Sequence, residues 1–283
     1  MKSGFVLIIG RTGVGKSSLV NAIVGDKVSI TASSTNTTRS TIRGILTRED
    51  LQIVFIDTPG VHKPKSELGK KLNENAEAAL NDSPDVVLLV VDGYKGIGTG
   101  DIRIAKSIKG KCIVALNKID KVKKPAILTQ ITKASEELNL GTETAFIPVS
   151  ARSGENLETL VTQLSKHLED GPMWYPVEAK SDVEEEFQIA ELVREALLVF
   201  LKDELPHSLA CVIKDFTPPH IKCDILVERS SQKPIILGKG GSNIERVRKT
   251  VESSLPEGYF LHLMVKVDKN WQQKAERFGY LTQ

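Results

Sequence analysis

The sequence predicts an α/β domain, a mostly parallel sheet with helices on both faces, followed by a smaller α+β domain. Three observations predict it. In the first half, short β-branched runs alternate with helical patterns. A glycine-rich segment, Gly10-Arg11-Thr12-Gly13-Val14-Gly15-Lys16-Ser17, joins the first apolar run to the first helical pattern. In the second half, alternating strands flank a G-x-x-G tetrad set between helical patterns. The 283 residues suit two domains of ~100–200 residues each. We expect them at 1–170 and 181–283, with 171–180 as linker.

Phe5–Ile9 is a continuous apolar run, as in a strand buried on both faces. Lys16–Val24 reads as helix, with Gly25 as its stop. Ser29–Arg43 is rich in Ser and Thr and reads as loop. Ile42–Thr47 and Leu51–Ile56 flank Arg48-Glu49-Asp50 as a hairpin, and the second strand delivers Asp57-Thr58-Pro59-Gly60. Three further runs end in polar residues: Val86–Val91 with Asp92, Cys112–Leu116 with Asn117, and Ala145–Val149 with Ser150. Helical patterns lie near 67–81, 100–109 and 125–138. Leu157, Leu160, Val161, Leu164 and Leu168 mark a last one. Such alternation builds a parallel sheet, whose ligands sit at the carboxyl ends of the strands. All the polar strand endings fall at that edge.

Gly171-Pro172-Met173-Trp174-Tyr175-Pro176 interrupts both patterns and reads as the linker. An amphipathic helix follows, with Ile189, Val193, Leu197, Phe200 and Leu201 on one stripe. Glu184, Glu185, Glu186, Glu191 and Glu195 lie early in it, and Ser181 or Asp182 can cap it. Leu209–Phe216 and Ile221–Val227 read as a hairpin turning at Thr217-Pro218-Pro219. Leu261, Leu263, Val265 and Val267 mark another half-buried strand.

Composition excludes several classes. Hydrophobic content of 40% and charged content of 26% are those of an ordinary soluble globular protein. No run approaches the ~18 apolar residues of a membrane span. The first strand leads directly into the glycine-rich loop, so no cleaved signal peptide is expected. Cys112, Cys211 and Cys223 lie in apolar or alternating stretches without C-x-x-C spacing, which indicates buried reduced thiols and a cytosolic compartment. The five histidines form no ligand cluster; His62 reads as a solvated loop residue. Residues 1–180 hold 24 basic and 20 acidic side chains, and 181–283 hold 14 and 16. Gross basicity therefore argues for no nucleic-acid partner, but local distribution does. Arg229–Lys249 carries six Lys/Arg against Glu245 alone, whereas 181–204 carries two basic against eight acidic residues.

The glycine-rich segment fits G-x-x-x-x-G-K-[ST]. Its backbone N–H groups can converge on phosphate oxygens, Lys16 can reach the terminal phosphates, and the Ser17 hydroxyl can ligate magnesium. The helix opening at Lys16, with Ser18 in its first turn, adds a positive dipole end. Asp57 can bind the same magnesium, and the Gly60 N–H can meet a γ-phosphate. Asn117-Lys118-Ile119-Asp120 is N-K-x-D. Asp120 can accept from the ring N–H and the amino group of guanine together, a donor pair that adenine lacks. The Lys118 stem can lie along the base, and Ser150-Ala151 can offer backbone N–H to the guanine keto oxygen. With these motifs in this order, the first half resembles a small GTPase of the translation-factor-like class. An ATPase is the alternative, and Asp120 opposes it. The loop Ser33–Arg39 is then expected to order around magnesium and γ-phosphate and to release on hydrolysis. The resemblance favours Thr38 as its metal ligand, with Thr37 as alternative. Val61 follows Gly60 where some GTPases place a water-positioning glutamine. No catalytic residue is assigned, and hydrolysis is expected to be slow.

The second half, in the order helix, strand, strand, helix, Gly238-Lys239-Gly240-Gly241, helix, strand, matches a KH domain of type II. There the tetrad lets two helix ends approach a nucleic-acid backbone. We expect RNA contacts from Arg229, Lys233, Gly238, Lys239, Gly240, Gly241 and Arg246, on a basic face.

GTPase first and KH second is a rare combination, and the whole chain resembles the Era family. Supporting stretches are Ser3–Val6, Thr37-Thr38-Arg39, Asp57–Lys65, Glu204–Ser208, Val227–Lys233, Trp271 and Gly279-Tyr280. The resemblance implies a GTP- and magnesium-dependent hydrolysing switch that binds the 3′ end of small-subunit ribosomal RNA and assists small-subunit assembly. The competing reading is a GTP-gated RNA chaperone with negligible hydrolysis. A monomer in the cytoplasm is expected, and the resemblance adds peripheral contact with the inner face of the membrane. The family usually has Pro-Asn at Thr12-Gly13 and Pro-Gln at Thr35-Asn36. Relatives hold a potassium ion with that loop asparagine, and Gly13 has no side chain to do so. The segment from Trp271 to Gly279 is about one helical turn short of the family's length.

Overall fold

The structure, a computed structural model, describes residues 1–31, 39–60, 67–81, 83–201, 208–269 and 271. The readings placed on Ser33–Thr38, Val61–Ser66, Glu204–His207 and the last helix lie outside these residues. The described residues divide into two compact units, within Met1–Ser29 with Thr38–Asp182 and within Ile30–Thr37 with Val183–Thr282.

In the first unit the chain runs β1 (Lys2–Ile9), α1 (Lys16–Val24), β2 (Ile42–Arg48), β3 (Leu51–Asp57), α2 (Glu67–Asn81), β4 (Val86–Asp92), α3 (Thr99–Ser107), β5 (Cys112–Asn117), α4 (Lys124–Leu138), β6 (Ala145–Pro148), α5 (Leu157–Ser165) and β7 (Glu169–Asp170). The sheet order is β2-β3-β1-β4-β5-β6, with β7 pairing the start of β1. Pairing is parallel except at the β2–β3 hairpin and at β7. β1 is central, which explains its unbroken apolar run. Val6 and Ile8 pack with Leu19 and Val20 of α1 and Leu160 and Leu164 of α5. Leu7 and Ile9 face the other way, onto Ile104 of α3 and Ala134 and Leu138 of α4. A strand covered on both faces has no solvent side for a polar residue. α5 ends at Ser165, before the expected Leu168, yet Leu168 stays buried in the same cluster. Asp57, Asp92 and Asn117 close β3, β4 and β5.

The segment expected as a linker is pinned along this unit. Gln52 of β3 is fully buried; its Nε2 donates to the Tyr175 carbonyl at 2.8 Å, and its Oε1 accepts from the N–H of Trp174 (2.7 Å) and Tyr175 (3.0 Å). The Trp174 ring lies 5.2 Å from that of Phe5. Further on, the Ile45 N–H donates to the Lys180 carbonyl and Ser181 bridges Gly44, covering the outer edge of β2. An uncovered edge would leave a row of unpaired N–H and C=O groups. Ser181 and Asp182 therefore do not cap the next helix. The Asp182 carboxylate is drawn to Arg43 at 2.7 Å and accepts from the Tyr175 hydroxyl.

The second unit contains α6 (Glu185–Leu198), β8 (Leu209–Thr217), β9 (His220–Val227), α7 (Lys233–Leu237), α8 (Ser242–Glu252) and β10 (Phe260–Val267). β9 lies between antiparallel β8 and parallel β10. Ile189, Val193 and Leu197 of α6 and Val247 and Val251 of α8 pack onto Cys211, Cys223, Ile225 and Leu261. Glu191, one of the acids early in the helix, is buried beside fully buried Arg194, whose Nε donates to it at 2.7 Å. Two charges three residues apart on one helical face satisfy each other; removing one alone costs about 3–5 kcal/mol. Asp224 is buried too, because Lys266 of the neighbouring strand reaches it at 2.7 Å. Val267, the last residue of β10, is 41% exposed rather than part of the core. The three cysteines are free and buried, and burial pushes the Cys112 thiol up to about 12.

The Gln52 contacts make one prediction. Gln52→Ala removes three part-buried hydrogen bonds to the backbone of Trp174 and Tyr175, each worth about 0.5–1.5 kcal/mol. Chemical denaturation should report that loss, and limited proteolysis should cut faster within 171–180; unchanged cleavage would mean the segment is held by other contacts.

Candidate nucleotide site and nucleic-acid interface

The loop between β1 and α1 takes its shape from glycine. Gly15 sits at φ +97°, and a Cβ there would lie 2.4 Å from Asn117 Nδ2. No other residue combines that conformation with that approach. α1 starts at Lys16 with no acidic residue in its first turn, leaving its N–H groups and positive end unopposed for an anion. Lys16 is buried, and its Nζ donates to the Gly10 carbonyl at 3.2 Å. Burial holds its pKa below the ordinary value, with Asp57 opposing the shift.

Asp57 is fully buried, and neither carboxylate oxygen has a hydrogen-bond partner among the described residues. Burial pushes its pKa up, while the Lys16 ammonium and the Ser17 and Ser29 hydroxyls, near it but outside hydrogen-bonding geometry, oppose that. A buried carboxylate without hydrogen bonds, beside a serine hydroxyl and a phosphate loop, fits the oxygen donors that a magnesium ion takes. Of the expected ligands, Ser17 and Asp57 come together here; Thr38 lies outside the described residues, as does Val61. The Thr58 hydroxyl donates to the Ile8 carbonyl at 2.8 Å and ties D-T-P-G to β1. A Cβ on Gly60 would fall 2.7 Å from Thr12, so the two loops touch. Gly13 has φ +76° and open space where a side chain would stand.

At the other end, Asn117 joins three loops. Its Nδ2 donates to the Val14 carbonyl at 3.0 Å, and its Oδ1 accepts from the N–H of Lys118 (2.8 Å) and of Ala151 (3.0 Å). Asp120 is oriented by the Ser150 hydroxyl, which donates to Oδ1 at 2.8 Å and accepts from the Ser153 N–H. The expected base-binding residues thus meet beside the phosphate loop.

Two acids assigned no role in the sequence also act here. Asp101 of α3, fully buried, holds Arg11 of the phosphate loop at 2.7 Å. Asp92 holds the Lys118 ammonium at 2.8 Å. Burial pushes Asp92 up, but Lys118 and the N–H groups of Lys95 and Tyr94 hold it below the usual carboxylate range. Asp92 had a visible signal, since it ends a strand at the ligand edge. Asp101 had none, because its partner is distant in sequence.

In the second unit, Gly238, Gly240 and Gly241 have φ of +74°, +59° and +81°, and turn α7 directly into α8. Successive left-handed residues turn the chain within four positions, which side chains would resist. Asn243 Nδ2 donates back to the Ile235 carbonyl across the turn. Lys239 and Gly240 are exposed at its tip. Arg229, Lys233 and Arg246 are exposed as well. Among the described residues none of these four cations forms an ion pair, whereas Arg248 is held by Glu245 and Glu252. The unspent charge of the basic stretch therefore includes Lys239 at the tip of the turn.

Comparison with known proteins agrees with both halves. A family model described as 50S ribosome-binding GTPase matches residues 5–118, and a KH domain model matches 204–272. GTPase Era of Mycolicibacterium smegmatis is 41% identical over 296 residues, spanning 99% of this chain and 98% of that protein. The crystal structure of Era in complex with MgGDPNP and nucleotides 1506-1542 of 16S ribosomal RNA matches with a TM-score of 0.92 at 33% identity, covering 100% of both chains. An Aquifex aeolicus Era variant bound to GDP.AlF4- gives the same TM-score and identity. With both halves matched and 41% identity across nearly its whole length, the chain belongs to the Era family of GTPases.

Proposed function

We propose that this chain binds GTP with magnesium, hydrolyses it, and uses its nucleotide state to control binding of the 3′ end of small-subunit ribosomal RNA during small-subunit assembly. Residues 1–170 are the nucleotide module and 181–283 the RNA module. The observation that carries the nucleotide assignment is Asp120 held by Ser150 beside the Asn117 junction. An acceptor pair fixed there selects a base with two adjacent donors, which is guanine. The related Era structure holding MgGDPNP and 16S ribosomal RNA supports both ligands.

Ser17, Asp57 and Thr38 would hold magnesium, which neutralises charge between the β- and γ-phosphates when bound. Lys16 approaches the same phosphates, and Gly10–Ser18 cradles them through backbone N–H groups. Asn117, Lys118, Asp120, Ser150 and Ala151 grip the base. Gly13 brings no potassium ligand and Val61 orients no water, so intrinsic hydrolysis is slow. In the RNA module, Gly238, Lys239, Gly240 and Gly241 admit the backbone closely, and Arg229, Lys233 and Arg246 flank it. Assembly of ribosomal subunits calls for a cytoplasmic chain. Among the described residues no helix is long and apolar enough to cross a membrane.

Two measurements test these assignments. Asp120→Asn reverses one half of the base pairing, so GTP affinity should fall about 100-fold or more, while xanthosine triphosphate affinity rises. Unchanged preference between the two nucleotides would overturn the guanine assignment. For RNA, four phosphate contacts predict a slope of log affinity against log salt of about −3 for a single strand. Lys239→Ala should reduce the slope by about 0.7, and replacing Lys239 and Gly240 together with Asp should abolish tight binding. A slope that ignores Lys239 would place the RNA elsewhere.

A further inference from the structure

Lys118 is held in an uncommon way. Its backbone is left-handed, at φ +69° and ψ 32°, which disfavours a residue with a Cβ by about 1–2 kcal/mol. Its ammonium donates to the Gly13 carbonyl and to Asp92 Oδ2, the latter at 2.8 Å. Its side chain is therefore stretched from the N-K-x-D turn to the phosphate loop. Asp92 stands directly opposite Asn117 in the sheet register, 2% exposed. Its other oxygen accepts from the N–H of Tyr94 (3.1 Å) and Lys95 (3.0 Å), so the carboxylate cannot turn away. A free lysine side chain carries about 2 kcal/mol of rotamer entropy, and freezing it beforehand removes that cost from binding.

We propose that Asp92 is a positioning residue for the guanine nucleotide: it fixes the Lys118 ammonium against Gly13, so that the Lys118 stem is a preformed wall for the base. This deepens the base-site reading and rests on it. Asp92 acts through Lys118 and not through the phosphates, which separates it from a residue that merely holds the turn after β4.

The test uses the full chain, a fluorescent GDP and inorganic tripolyphosphate with magnesium. Asp92→Asn keeps Oδ1 for the Tyr94 and Lys95 N–H groups but puts an amide N–H₂ against Lys118. GDP dissociation should quicken about 10- to 100-fold, the worth of one charge-assisted contact. Tripolyphosphate affinity should not change. In a Lys118→Met background, which keeps the stem and removes the charge, Asp92→Asn should have no further effect on GDP dissociation. Where Asp92→Asn does not fold, Asp92→Ser carries the same test, because a serine hydroxyl still accepts the turn's N–H groups. The proposal is overturned if GDP dissociation is unchanged, if the effect is equal in both backgrounds, or if tripolyphosphate weakens as much as GDP. The xanthosine switch of Asp120→Asn tests the base site by itself. If that switch holds while the Asp92 effects are additive, only the present proposal fails.

Discussion

The Asn117 carboxamide is the contact on which the first unit's site depends. One donor and one acceptor join the phosphate loop at Val14, the N-K-x-D turn at Lys118 and the loop after β6 at Ala151. Each loop leaves a different strand of a parallel sheet, and loops of that kind have no hydrogen-bond ladder of their own. A side-chain amide can serve three backbone groups at once because its oxygen accepts two bonds while its nitrogen donates. Gly15 must lack a side chain for that approach. The motif's glycine and its asparagine are thus one device seen from two positions in the sequence.

Buried charge organises the rest of the site in pairs. Arg11 with Asp101 fixes the phosphate loop, and Lys118 with Asp92 fixes the base side of the site. Asp57 is the exception, its oxygens buried without a hydrogen bond among the described residues. Such a carboxylate is costly unless something charged completes it, which is the physical reason to read it as a metal ligand. In the second unit the pattern is reversed at the surface. Arg248 is consumed by Glu245 and Glu252, while Arg229, Lys233, Arg246 and Lys239, the last within the glycine turn, are exposed without an ion pair among the described residues.

Much of this was legible in the sequence, and the reasons are local. Phe5–Ile9 announces a central strand because both of its faces are covered. Asp57, Asn117 and Ser150 announce the site because each ends an apolar run. Gly238–Gly241 announces a tight turn between helices. Most of what escaped depended on distant partners. Ser181 and Asp182 have the composition of a helix cap, but Gly44 and Arg43, far away in sequence, claim them. Glu191 looks like a surface acid until Arg194 is seen turned into the same core. Gln52 gives no sign that it anchors Trp174 and Tyr175, since a polar residue in a strand ordinarily marks the solvent face.

The central claim is that the nucleotide held at the Asn117 junction sets the affinity of the RNA module. Titrating the full chain with a fluorescent single strand matching the 3′ end of small-subunit ribosomal RNA, saturated in turn with magnesium GDPNP and magnesium GDP, tests it directly. The account predicts tighter binding with GDPNP, by about 5-fold or more, the scale of an ordinary coupling between sites. Equal affinities in the two states would contradict it, leaving two binding modules on one chain without a switch between them.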